Sequence, residues 1–215
     1  MAGTLAPVAQ LLERGPEPGR ATVLVGANGS GKSTRVEAIA QACGLSAEGG
    51  STGAMHATRD TGSGLHRHLC LERNPGTTRY GYFLRAETMH GCFSYLEDNP
   101  AGPDLAFQEM SHGESFLETA AGKFRGGGPW ILEEPASALS FPGCLALLGV
   151  LKDLIGLGDS QVIPCTHSPI LAALPGTRGH EVGDRRLRER QRAELDLVQG
   201  WRSFLDAPQR FLRHL

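Results

Sequence analysis

The sequence predicts an α/β fold in which a mostly parallel central sheet is flanked by helices. Three observations predict it. First, Ala21-Thr22-Val23-Leu24-Val25 is a short, apolar, β-branched run. A glycine-rich loop follows, and then Val36, Ile39, Ala40 and Cys43 recur at helical spacing. Second, Pro129-Trp130-Ile131-Leu132 reads as an apolar strand that ends in two acids. Third, Gln161-Val162-Ile163-Pro164-Cys165 reads as another, ending in Thr166-His167. Polar groups at the C-terminal ends of buried strands lie where open α/β sheets bind their ligands.

The loop after the first strand is Gly26-Ala27-Asn28-Gly29-Ser30-Gly31-Lys32-Ser33-Thr34. Its spacing, G-x-x-x-x-G-K-[ST], is that of a phosphate-binding P-loop. Glycines let successive backbone N–H groups turn inward around phosphate oxygens. The helix start adds the positive end of its dipole. In this pattern Lys32 reaches the β- and γ-phosphates and Ser33 offers its hydroxyl to Mg²⁺. The chain otherwise uses arginine nearly everywhere a cation appears, and its lysines are Lys32, Lys123 and Lys152. A lysine in the loop suits a site that wants a point charge.

Glu133 and Glu134 close the second strand. Burying both without a cation is costly, because like charges repel in a low dielectric. Magnesium at the P-loop would relieve that cost. Glu133 is then placed to hold the magnesium shell, and Glu134 to polarise an attacking water. His167, at the end of the third strand, is placed to bond a γ-phosphate oxygen.

At 215 residues, with 40% hydrophobic content, the chain is expected to form one domain with a sizeable core. A formal net charge of -2 gives no global pull toward nucleic acid or membrane. Aromatic content of 6% argues against a single-strand-binding surface built on stacking. The cysteines (Cys43, Cys70, Cys92, Cys144, Cys165) are odd in number and show no C-x-x-C pair, so buried thiols in a reducing cytoplasm are expected. The N-terminus lacks the pattern of a signal peptide. No apolar run approaches the length of a membrane span.

In chain order, Pro7–Glu13 reads as a short helix before the Pro/Gly turn at Gly15–Gly19. Residues 47–79 have little periodicity. Within them Leu65–Leu71 alternates as a half-buried strand would, with Tyr80–Leu84 as its partner. His56, His66 and His68 do not show the spacing of a metal site. Glu87–Leu96 reads as a helix and Asn99–Pro103 as a loop. Ser111-His112-Gly113-Glu114 precedes another helix, in which Phe116, Leu117, Ala120 and Ala121 repeat; alone it reads as a capping box. Gly126–Gly128 is a flexible break. In the tail, Arg185, Arg186, Arg188, Arg190 and Arg192 form an arginine-rich run, read as a solvated turn or helix face. Two amphipathic helices then carry Leu195, Val198, Trp201, Phe204 and Leu205, and Phe211 and Leu212; they are expected to dock on the core.

Taken together, the P-loop, Ser-His-Gly-Glu, the strand ending Glu-Glu-Pro-Ala-Ser-Ala-Leu and the strand ending Thr-His resemble, in this order, the ABC-type ATPases. The chain looks closest to small stand-alone bacterial ATPases that share Gly81–Glu87, Ser111–Phe116 and Phe204–Leu215. The resemblance covers most of the chain outside about 51–79. It implies a single domain over 1–215, with a small antiparallel β subdomain at about 45–85 and a helical tail at about 176–215. It implies Mg²⁺-dependent ATP hydrolysis in an ATP-dependent homodimer. Ser111, Gly113 and Glu114 would then contact the ATP of a second subunit. Glu133 resembles the magnesium-shell acid, Glu134 the catalytic glutamate and His167 the switch histidine. Ala136–Ser140 resembles the loop that touches the partner. Glu87 falls near the residue that couples the γ-phosphate, and hence the metal, to the rest of the domain.

Departures from the pattern are Glu133 for the usual Asp, Ser140 for Asp, Arg35 for an apolar residue and His112 for a signature glycine. Two other classes stay open. One is an ATP-gated module on nucleic acid, for which the arginine run and the His/Arg loop would be the contacts. The other is the motor of a membrane transporter, which needs a separate membrane partner.

Overall fold

The computed structural model describes residues 19–52, 63–73, 75, 78, 80–85, 127–137, 139–183 and 187–213. The helices expected at Pro7–Glu13, at Glu87–Leu96 and after Ser115 lie outside these residues. So do Glu87, the segment Ser111–Glu114, His56 and Cys92.

Thr22–Val25 forms β1, buried along its whole length. The glycine loop leads to α1, Lys32–Ala42. Gly50–Ser51 is β2, Tyr82–Arg85 is β3 and Gly128–Glu133 is β4. Helix α2, Phe141–Gly156, leads to β5, Ser160–Thr166. Arg178–Val182 and Leu187–Arg190 are β6 and β7, followed by α3, Asp196–Asp206, and α4, Gln209–Leu212.

These strands make one seven-stranded sheet in the order β2-β3-β4-β5-β1-β6-β7. The inner strands β3, β4, β5, β1 and β6 are parallel, and only the edges β2 and β7 are antiparallel. Parallel strands buried on both faces should be mainly apolar, and Val23–Val25, Trp130–Leu132 and Val162–Cys165 supply such runs in β1, β4 and β5. Their alternate residues feed two cores. Val23, Val25, Trp130, Leu132 and Val162 meet Leu147, Leu151 and Leu154 of α2. Leu24, Ile131, Ile163 and Cys165 meet Val36 and Ala40 of α1. The two helices therefore cover opposite faces.

Trp130 is fully buried, stacked on Tyr82 and edge-on to Tyr80. The glycine break before it has a steric reason. Gly128 has φ +125, and a Cβ there would come within 2.0 Å of the Tyr80 carbonyl oxygen. Only a glycine lets the incoming chain pass that close to β3.

Two expectations are corrected. Leu65–Leu71 is not a strand: Leu65–His68 forms a single 3₁₀ turn, opened by Gly64 in the left-handed region. One buried residue, Leu65, packs with Ala38 of α1, so the segment needs one inward side chain rather than an alternating face. The described strands of the expected β subdomain at about 45–85 lie at one edge of the main sheet. Tyr82–Arg85 pairs with Gly50–Ser51 at one edge and with β4 on its other side, inside the main sheet. Within the arginine run, Arg188 and Arg190 lie on the edge strand β7 rather than on a turn or helix, while Arg192 opens the 3₁₀ turn Arg192–Glu194. Arg190 pairs with Glu181 of β6 at 3.0 Å, which gives one of those arginines a partner inside the sheet.

The tail becomes helical at the 3₁₀ turn Arg192–Glu194 and at α3. Leu195 and Val198 are buried, but Trp201, Phe204, Leu205, Phe211 and Leu212 are exposed. Phe204 and Phe211 pack edge to face on each other. Among the described residues, the buried side chains of this helical part are Leu195 and Val198, at its first turn.

Candidate functional site

All five parallel strands end at the same edge of the sheet, and the conspicuous polar residues collect there. The glycine loop leaves β1 with little room. A Cβ on Gly26 would lie 2.5 Å from the Val182 carbonyl oxygen at the end of β6. Gly31 is the N-cap of α1, in the left-handed region, and being a glycine it offers no side chain to the first N–H groups of the helix. Ala27, Asn28, Gly29, Ser33 and Thr34 are exposed, and Ser30 is half-buried. The loop therefore presents uncapped backbone donors and hydroxyls at the positive end of an eleven-residue helix.

Lys32 is only 4% exposed although it carries a charge. Its Nζ donates to the Ala27 carbonyl oxygen at 2.9 Å, closing the loop on itself. It also lies 3.9 Å from Glu134 Oε1. The other oxygen, Glu134 Oε2, is 2.7 Å from His167 Nδ1 and accepts the His167 backbone N–H at 3.2 Å. Lys32, Glu134 and His167 thus form one connected chain across the ends of three elements: the loop helix, β4 and β5.

Glu134 is held there in an unusual backbone state. It has φ 47, the one non-glycine residue with positive φ among those described. Its N–H donates to the Cys165 carbonyl oxygen at 2.8 Å, which fixes the turn after β4 against β5. Left-handed backbone in a residue with a Cβ costs about 1–3 kcal/mol and persists where surroundings over-determine it.

Glu133, one residue earlier, sits in a different environment. It is 5% exposed and stands beside Arg85 in the β3–β4 register. Arg85 Nε lies 2.6 Å from Glu133 Oε2. Arg85 Nη1 donates to the Ala47 carbonyl oxygen at 2.8 Å and reaches Glu37 Oε2 at 3.5 Å. Burial pushes the Glu37 carboxyl above its ordinary range, against the pull of Arg85. Each acid thus has side chains beside it: Arg85 beside Glu133, and Lys32 and His167 beside Glu134.

Between these groups lies Cys165, whose thiol is pushed up to about 12 by burial and by the nearby Glu134 carboxylate. It is an inert wall of the site. Ser140 proves to be the N-cap of α2, where its Oγ accepts the Gly143 N–H at 3.3 Å.

The structure thus brings together Lys32, Glu134 and His167. It sets Glu133 apart with Arg85 and leaves Ser33 and Thr34 exposed at the helix start. Sequence reading gave no role to Arg85 or Glu37. The usable signal was that Arg85 closes strand β3 as Glu133 closes β4, so parallel pairing sets the two charges side by side.

No protein-family model matches the chain, and no curated protein matches it in sequence. A solved structure of an ABC transporter in an inward-facing conformation superimposes with a TM-score of 0.44 at 15% identity, over 80% of this chain and 72% of that one. Among the described residues no helix is long and apolar enough to cross a membrane.

Proposed function

We propose that this chain is a P-loop ATPase of ABC type that binds Mg²⁺-ATP on residues Gly26–Thr34 and hydrolyses it. The observation that supports this most is the Lys32–Glu134–His167 chain beside an uncapped glycine loop. It places a buried cation, a carboxylate and an imidazole at one edge of the sheet, which is the composition that phosphoryl transfer to water requires.

Each residue has a part that follows from its present contacts. A triphosphate on the loop would draw Lys32 Nζ from the Ala27 carbonyl and from Glu134. Glu134 would then lose its nearest cation and become a better acceptor for a proton from water. His167 would keep that carboxylate aimed through Nδ1 and its backbone N–H, and with both ring nitrogens protonated would donate Nε2–H to a γ-phosphate oxygen. The strained backbone of Glu134 serves the same end, since it fixes the carboxylate before substrate arrives.

Magnesium fits the donors in part. The exposed Ser33 hydroxyl would hold it directly, whereas Glu133 would do so only in exchange for Arg85. When bound, the cation would neutralise charge on the β- and γ-phosphates. Ser111, Gly113 and Glu114 belong to the same proposal as the segment that reaches a second subunit's ATP, making the active form a homodimer. Glu87 remains its coupling residue.

The test is equilibrium titration of a fluorescent ATP analogue into wild type and Lys32→Ala. The expected result is a loss of affinity of about tenfold or more, because a desolvated charge-assisted contact contributes about 1.5–3 kcal/mol. Equal affinity in the two proteins would remove the glycine loop from the nucleotide site.

A further inference from the structure

The half-buried Arg85 stands between the loop helix and the acid-bearing strand. Arg85 joins three parts of the molecule. It pairs with Glu133 at the end of β4, with Glu37 in the middle of α1 and with the Ala47 carbonyl beyond that helix. Its guanidinium also lies 5.8 Å from the Phe83 ring centroid, which further fixes it. Glu37 is five residues past Lys32, about 7.5 Å further along the helix axis. The arginine is therefore drawn along α1, away from the helix N-terminus where phosphates would sit, and Glu133 Oε2 follows it at 2.6 Å. A carboxylate that is 5% exposed and already paired is not an open ligand.

We infer that Arg85 is a positioning residue that competes with the divalent cation for Glu133: the cation gains this carboxylate only by displacing the guanidinium. Cation affinity is then set by the strength of an internal ion pair. Loop and cation are also coupled, because the same arginine holds α1 through Glu37. A cation that takes Glu133 loosens the arginine from one partner and leaves it to Glu37 and the Ala47 carbonyl. This inference rests on the proposed Mg²⁺-ATP reading, but its test does not depend on turnover.

The experiment is a Mn²⁺ titration followed by electron paramagnetic resonance, with and without ADP, on wild type, Arg85→Gln, Arg85→Lys and Glu133→Gln. A neighbouring guanidinium biases a carboxylate by about one to three log units. Arg85→Gln should accordingly bind Mn²⁺ about tenfold or more tightly than wild type. Adding Glu133→Gln to it should abolish that gain. Arg85→Lys keeps the charge but cannot serve three acceptors at once, so it should show a smaller gain in the same direction.

Should Arg85→Gln fail to fold, because it leaves Glu133 buried and unpaired, the Arg85→Lys variant decides. Mn²⁺ affinity unchanged or weakened in the folded arginine variants overturns the inference, and so does a gain that survives loss of Glu133. Failure of the ATP reading itself would look different: wild type would bind no ATP analogue, whatever the order of Mn²⁺ affinities.

Discussion

Glu134 combines a strained backbone with a role in the polar chain, and the two can be separated by comparing Glu134→Ala with Glu134→Gly. Both variants delete the carboxylate, so both lose the Lys32 and His167 contacts. Both keep the N–H bond to the Cys165 carbonyl. They differ in what a Cβ costs at φ 47. Left-handed backbone costs an L-residue about 1–2 kcal/mol. Against that, glycine's extra freedom in the unfolded chain costs about 0.4–1 kcal/mol. The glycine variant should therefore be the more stable by about 0.8 kcal/mol, the difference of the two midpoints. For a domain of this size that is about 2–3 °C in melting temperature. Thermal unfolding followed by circular dichroism reads it directly, with urea unfolding as a second measure. An alanine variant that melts at or above the glycine variant would refute the claim that Glu134 stores strain.

Two further predictions follow from burial. His180 on β6 has its imidazole pushed below the ordinary 6.5, first by burial, partly opposed by Glu189 and assisted by Arg178. Its folded value lies below the unfolded one, so its stabilising contribution is complete above pH 6.5 and is lost as the pH falls toward the folded value. His180→Gln should flatten the acid limb of the stability curve there; an unchanged slope would show that His180 does not set it. The thiols should divide by exposure. Cys70 is exposed, whereas Cys144 and Cys165 are buried and both pushed upward by burial. Peptide mapping after mild alkylation near neutral pH should find Cys70 modified and Cys165 untouched until denaturation. Equal labelling of the two would contradict the packing of β5 against α1.

The parts of the fold that rest on continuous apolar runs were legible in the sequence. The strands around Val23, Ile131 and Ile163 are buried on both faces. Their C-terminal polar residues were legible for the same reason, since an apolar run gives way to polar residues at the strand's end, as Leu132 does to Glu133 and Glu134. Leu65–Leu71 misled because alternation over so few residues does not separate a strand from a turn with one buried leucine. The arginine-rich run misled in part because Arg188 and Arg190 belong to an edge strand, where Arg190 pairs with Glu181 of β6, a contact that spacing along the chain does not encode. The exposed side of α3 was misjudged since amphipathicity gives the direction of an apolar face but not whether anything covers it. Arg85 was missed because its meaning depends on the β3–β4 register, a non-local fact. The two adjacent acids looked equivalent for a related reason: residues 133 and 134 separate only where Glu134 turns into the left-handed region and Glu133 stays in the sheet.

The central claim is that Glu134 serves ATP hydrolysis at the glycine loop. Its most direct test is Mg²⁺-ATP turnover for wild type and Glu134→Gln as a function of protein concentration, with sizing in ATP. The account predicts that turnover falls by about two orders of magnitude or more when a positioned acid–base group is lost, while ATP binding persists and an ATP-stabilised dimer accumulates. A variant that hydrolyses ATP like wild type and stays monomeric would contradict it, and would leave the loop as a nucleotide site serving some other chemistry.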